Sequence, residues 1–98
     1  MATTSEKLVG PVVRDVEIAD ALVEAIERDN PGQEIIVKDE GGYTRIHTRL
    51  ICRVTRQSLE EALGRPFKLS QLEPSLAAFA GRISVRDEEV IWYLERED

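Results

Sequence analysis

The chain has 98 residues with 13 Lys+Arg against 19 Asp+Glu, a net charge of −6, so it holds one small domain and no second core. With 42% hydrophobic and 33% charged residues it is too apolar for a wholly disordered protein and too charged for a membrane one. Apolar runs such as Leu50-Ile51-Cys52 fall far below the ~20 residues of a bilayer span, and the acidic balance argues against nucleic acid, which needs a basic footprint.

Met1 to Lys7 is polar and reads as a mobile amino-terminal arm without the apolar core of a signal peptide, which predicts a cytoplasmic setting. Residues 8–98 form the domain. Leu8 to Val13 is a first extended segment, and Asp15 then caps a helix running to about Asp29, with Ile18, Leu22 and Ile26 at four-residue spacing. Glu17, Asp20, Glu24 and Glu27 face water. Asn30-Pro31-Gly32 ends that helix, because Pro31 disfavours helical geometry at Asn30 and Gly32 accepts positive φ.

Glu34 to Lys38 and the segment from Tyr43 pair as a hairpin around Asp39-Glu40-Gly41-Gly42. From Thr44 to Val54 the residues alternate. Ile46, Leu50, Cys52 and Val54 fall on one face, and Arg45, His47, Arg49 and Arg53 on the other. A strand of that length is expected to break near Thr48-Arg49. A helix follows from about Thr55 or Ser58, where Ser58 and Glu61 have capping-box spacing and Gly64 closes it. A further helix is expected from a Ser70 cap, with Leu72, Leu76 and Phe79 inward and Gly81 just beyond it. Arg82 to Arg86 and Val90 to Leu94 make a terminal hairpin. The order βαββ then ααββ gives an α+β domain with largely antiparallel sheets.

Chemistry-bearing residues are sparse. One Cys and one His supply neither a disulfide nor a zinc cage. Cys52 falls on the inward face, where a thiol is inert, and His47 lacks an orienting acid partner and reads as a sheet-surface or half-buried residue. Asp87-Glu88-Glu89 and Glu95-Arg96-Glu97-Asp98 lack calcium-loop spacing, Gly41-Gly42 lacks a phosphate-loop pattern, and no Gly-x-Ser-x-Gly elbow is present. Two patches stand out. Tyr43, Arg45, His47, Arg49 and Arg53 share one face and suit an acidic partner, or form a plain solvated sheet face. Leu76 to Gly81 offers small side chains to a close partner, or packs in the interior.

Several stretches recur together in one family: Val9-Gly10-Pro11-Val12-Val13-Arg14, Asp29-Asn30-Pro31-Gly32-Gln33-Glu34-Ile35, Leu59 to Phe67, and Leu72 to Ile83. With them the chain resembles the small effector, or coupling, proteins of soluble diiron monooxygenases, above all the effector of toluene and related aromatic or alkene monooxygenases. The resemblance implies a cofactor-free, non-catalytic protein, monomeric when free. Such a protein binds a diiron hydroxylase over its active site and tunes substrate access, oxygen activation and coupling of electron transfer to hydrocarbon oxidation. It also implies that Ser75, Ala77, Ala78, Phe79, Gly81 and Arg82 approach the hydroxylase's active-site entrance. The strand alternation, apart from the resemblance, makes Tyr43, Arg45, His47 and Arg49 a secondary candidate partner face. A small-molecule-sensing regulatory α+β domain is the alternative, and an independent small enzyme a further one.

Overall fold

Among the described residues, seven short strands collect into two antiparallel sheets that share a core with the longer of two α-helices. A computed structural model describes residues 7–94, so the arm before Lys7 and the acidic close Glu95-Arg96-Glu97-Asp98 lie outside the described residues. The order is β1 (Leu8–Val13), α1 (Val16–Asp29), β2 (Ile36–Asp39), β3 (Thr44–Arg49), β4 (Ile51–Thr55), α2 (Arg56–Leu63), β5 (Leu76–Ala80), β6 (Arg82–Val85) and β7 (Glu89–Tyr93). One sheet runs β2-β3-β1-β5, the other β4-β7-β6, and the mixed α+β architecture matches expectation.

Helix α1 starts and stops where its sequence says. The Asp15 carboxylate accepts from the Ile18 amide at 3.0 Å, which satisfies one of the donors a helix start leaves open. Ile18, Leu22, Ala25 and Ile26 are buried along one stripe, facing Val9, Val13 and Ile46 of the first sheet and Cys52, Val54 and Trp92 of the second in one core. At its end, Asn30 donates from Nδ2 to the carbonyls of Ile26 and Arg53, both at 2.7 Å, and its Oδ1 accepts from the Arg53 amide at 3.0 Å. The side-chain amide thus pairs with β4 as a neighbouring strand's backbone would.

Helix α2 is capped by Thr55, whose hydroxyl accepts from the Ser58 amide at 3.2 Å, and not by a Ser58–Glu61 box. Ser58 instead donates to Asp29 Oδ1 at 2.8 Å, while Asp29 Oδ2 takes the Thr55 amide at 2.7 Å. An acidic group at the last position of α1 therefore sits at the amino end of α2, where the helix dipole favours it. Gly64 closes α2 at φ 76°.

The largest correction lies after α2. The helix expected from Ser70 does not form: two short 3-10 turns, Leu69–Gln71 and Glu73–Ser75, lead directly into β5, so three strands follow α2 in place of a helix and a hairpin. Leu72 is buried, Leu76 packs partly against the core, and Phe79, expected inward, is 43% exposed. The long strand breaks at Leu50, one residue beyond Thr48-Arg49, with β3 in one sheet and β4 in the other. Among the described residues no helix is long and apolar enough to cross a membrane.

Candidate functional site

The two patches singled out in the sequence meet on one sheet. Strand β1 lies between β3 and β5, and Val12 stands opposite Arg45 on one side and Ala78 on the other. Residues directly opposite on antiparallel strands share a face, so Arg45, Val12 and Ala78 form one cross-sheet row. Around that row Val12, Tyr43 and Arg45 join Ala77, Ala78 and Phe79 in lining a groove of about 320 Å³. Arg14 and Glu40 also line it, and neither was a candidate.

Local chemistry sets the groove walls. The Glu40 amide donates to the Tyr43 carbonyl at 2.8 Å and the Gly41 amide to Asp39 Oδ1 at 3.1 Å, which closes the β2–β3 turn and lifts Tyr43 to the rim, 46% exposed. Arg45 Nε then reaches back to Glu40 Oε1 at 2.9 Å, an exposed pair whose value is orientation more than stability. The five-residue separation of Glu40 and Arg45 across a Gly-Gly turn is the sequence signal that places Glu40 here. On the opposite wall β5 is an edge strand, and Ala78 and Phe79 are its two exposed residues. An edge strand of small residues around one half-exposed aromatic lets another surface come close while Phe79 supplies contact area.

The remaining candidates separate. Ser75 ends the second 3-10 turn, and Gly81 and Arg82 lead into β6. Arg49 and Arg53 are exposed, but toward the opposite end of β3 and on β4. His47 does not join them: it is buried beside Gly10, so the basic row has a gap at its centre. The cause is non-local. Gly10 stands at φ 142° and approaches β3 so closely that a Cβ there would lie 2.2 Å from the Ile46 carbonyl oxygen, and this contact shuts His47 in.

Neither reactive side chain is poised for chemistry. Burial pushes the Cys52 thiol up to about 12, so it stays protonated and packs in the core. The His47 imidazole is held below its usual value, first by burial and then by the Arg45 charge, and its Nε2 has no hydrogen-bond partner among the described residues. Among the described residues no group of His, Cys, Asp or Glu is gathered to hold a metal ion. The groove is equipped for contact, with one aromatic, one phenol, one oriented guanidinium and a floor of small side chains.

The chain and its fold are similar to known proteins. The chain is 50% identical over 88 residues to the effector subunit of an alkene monooxygenase system from Xanthobacter autotrophicus, covering 90% of this chain and 87% of that one. Its structure is similar to a chain of a solved phenol hydroxylase–regulatory protein complex, with TM-score 0.74 and 26% identity over 90% of this chain and 99% of that one. It shares the fold of the regulatory protein B of soluble methane monooxygenase, with TM-score 0.67 and 20% identity over 97% of this chain and 70% of that one. The family model described as MmoB/DmpM matches residues 7–93, nearly all that the structure describes, and the chain belongs to that family.

Proposed function

We propose that this chain is the effector subunit of a multicomponent monooxygenase, and that it meets the hydroxylase component through the groove between Tyr43, Arg45, Ala78 and Phe79. The observation that supports the site is the convergence there of the β5 edge with Tyr43 and Arg45 at the start of β3, in a family whose members include an alkene monooxygenase effector subunit. Ser75, Gly81 and Arg82 flank the contact, and the chain lends no reactive group to the oxidation. A lone buried thiol without a disulfide fits a cytoplasmic setting.

The effector acts by binding two hydroxylase conformations unequally, since equal affinity moves neither population. A tenfold preference is worth about 1.4 kcal/mol, within reach of one well-placed aromatic contact. Docking over the diiron site in this way tunes substrate access and the coupling of electron delivery to oxidation.

Reconstitution with the hydroxylase and its reductase tests the reading. Product formed per reducing equivalent rises when the chain is added, and an equally fast, equally efficient assembly without it would overturn the proposal. Phe79→Ala tests the groove. Because Phe79 is 43% exposed, its truncation leaves the melting temperature nearly unchanged. The concentration needed for half-maximal stimulation rises about tenfold, the loss expected of an interface aromatic. Thermal stabilisation by a small hydrocarbon alone, without hydroxylase, would favour a ligand-sensing domain instead.

A further inference from the structure

The chain steps directly from a strand of one sheet to a strand of the other at Leu50 and at Gly81, and both stand at positive φ, 71° and 92°. Gly81 has a packing reason, since a Cβ there would lie 2.7 Å from Val9 Cγ1 and 2.8 Å from the Tyr93 carbonyl oxygen. Leu50 is the only non-glycine residue in this region of backbone space among the described residues. A side chain at positive φ crowds its own carbonyl, and such strain persists where the surroundings hold it.

The surroundings of Leu50 do hold it. Its amide donates to the Lys7 carbonyl at 2.8 Å, and its carbonyl accepts from the Leu94 amide at 3.3 Å. The next carbonyl, of Ile51, accepts from Thr48 Oγ1 at 2.5 Å and from Gln33 Nε2 at 3.2 Å. Yet the strained side chain is not used for packing. Leu50 is 44% exposed and lies outside the core cluster, Ile51 beside it is equally exposed, and Leu94 borders them. Glycine or asparagine would hold the same backbone at lower cost, and packing among the described residues does not account for an exposed leucine here.

The rim around this apolar step is basic. Lys7 is bonded to Leu50 through its backbone, and Arg49 lies opposite Leu8 at the start of β1. Both are exposed, and neither has an ion pair among the described residues, in a protein of net charge −6. An apolar knob beside cations that have no ion pair among the described residues fits an apolar pocket bordered by carboxylates. Arg45 on β3 and Leu50, the residue just after that strand, lie five residues apart, roughly 16 Å at the rise of a strand, a span that one large partner can cover.

We propose that Leu50 and Ile51, rimmed by Lys7 and Arg49, form a second docking contact for the hydroxylase, inserting into an acid-bordered apolar pocket on it. The contact rests on the effector reading and is separable from the groove. Binding of the full chain to isolated hydroxylase is measured by calorimetry, and association rates at low and high salt, for wild type, Leu50→Gly, Leu50→Asn, Arg49→Glu and Phe79→Ala. Leu50→Gly and Leu50→Asn should melt within a few degrees of wild type, because the strain is relieved, yet bind about tenfold more weakly. Arg49→Glu should slow association at low salt, with the difference shrinking as salt screens it. Wild-type affinity in both Leu50 variants overturns this contact and leaves the groove standing if Phe79→Ala still binds weakly. A sharp fall in melting temperature in both Leu50 variants makes the side chain structural and also overturns it. Failure of the wild-type chain to bind removes the effector reading and this contact together.

Discussion

The imidazole of His47 is buried against Gly10 with Nε2 unpartnered among the described residues, and burial, then the neighbouring Arg45 charge, disfavours its protonation. A hydrogen bond with the Gly10 backbone and the Glu40 carboxylate pull the other way and do not prevail. The unfolded chain, with an ordinary histidine near pH 6.5, therefore takes up a proton more readily than the folded one. By linkage, the His47 contribution to stability is fully present above pH ~6.5 and is lost as pH falls from there through the lower folded value. His47→Gln removes that titration. Denaturant unfolding of both proteins between pH 7.5 and 5 should show the wild type losing more stability than the variant across this window, and parallel curves would contradict the assignment. Strand alternation alone sets His47 in a row with Arg45 and Arg49. What buries it is the close approach of Gly10, some forty residues away, and no local pattern reports that.

Elements whose termini carry their own chemistry were legible. Asp15 and the four-residue apolar stripe define α1, Gly64 ends α2, and the Gly-Gly turn joins β2 to β3, each within a few residues of its expected place. Strand β5 was not. Leu72, Leu76 and Phe79 repeat at helical spacing, alanines favour a helix, and Pro74 is acceptable in a first turn, so every local signal pointed the wrong way. Pairing with the edge of β1 over Gly10–Val13 overrides them, because a strand there satisfies the backbone groups that β1 would otherwise leave open. The same lesson applies to Asn30, which the sequence marks only as a helix end. Its amide links the last turn of α1 to Arg53 of β4 through two donated bonds and one accepted bond. Asn30→Ala leaves the buried partners unpaired and should destabilise the fold by about 3 kcal/mol, read from the denaturation midpoint. A loss under about 0.5 kcal/mol, the scale of an ordinary surface change, would mean that water replaces the amide.

The two sheets share one core with α1 and are joined directly at Leu50 and Gly81, so their relative placement depends on how tightly these short joints pack. At Gly81 the chain leaves the β5 edge, passes Val9 of the central strand and runs under the Tyr93 carbonyl of β7, so one residue touches both sheets. Gly81 is a candidate partner-contact residue in the sequence, and its surroundings give it a structural duty as well. Gly81→Ala places a methyl 2.7–2.8 Å from Val9 and Tyr93 at a φ of 92°. Backbone strain and overpacking add, and together they should cost roughly 3 kcal/mol. Gly64 supplies the control: it also has positive φ, 76°, but a Cβ there meets nothing within 4 Å. Gly64→Ala therefore suffers the backbone strain alone and should cost about 1 kcal/mol. Equal losses in the two variants would show that the seam has room to open. The expected inequality would instead mean that the Phe79 groove and the Leu50 step are held at fixed separation, as simultaneous docking on one partner requires. In that case Gly81→Ala also weakens hydroxylase binding beyond its effect on the folded fraction, whereas Gly64→Ala does not.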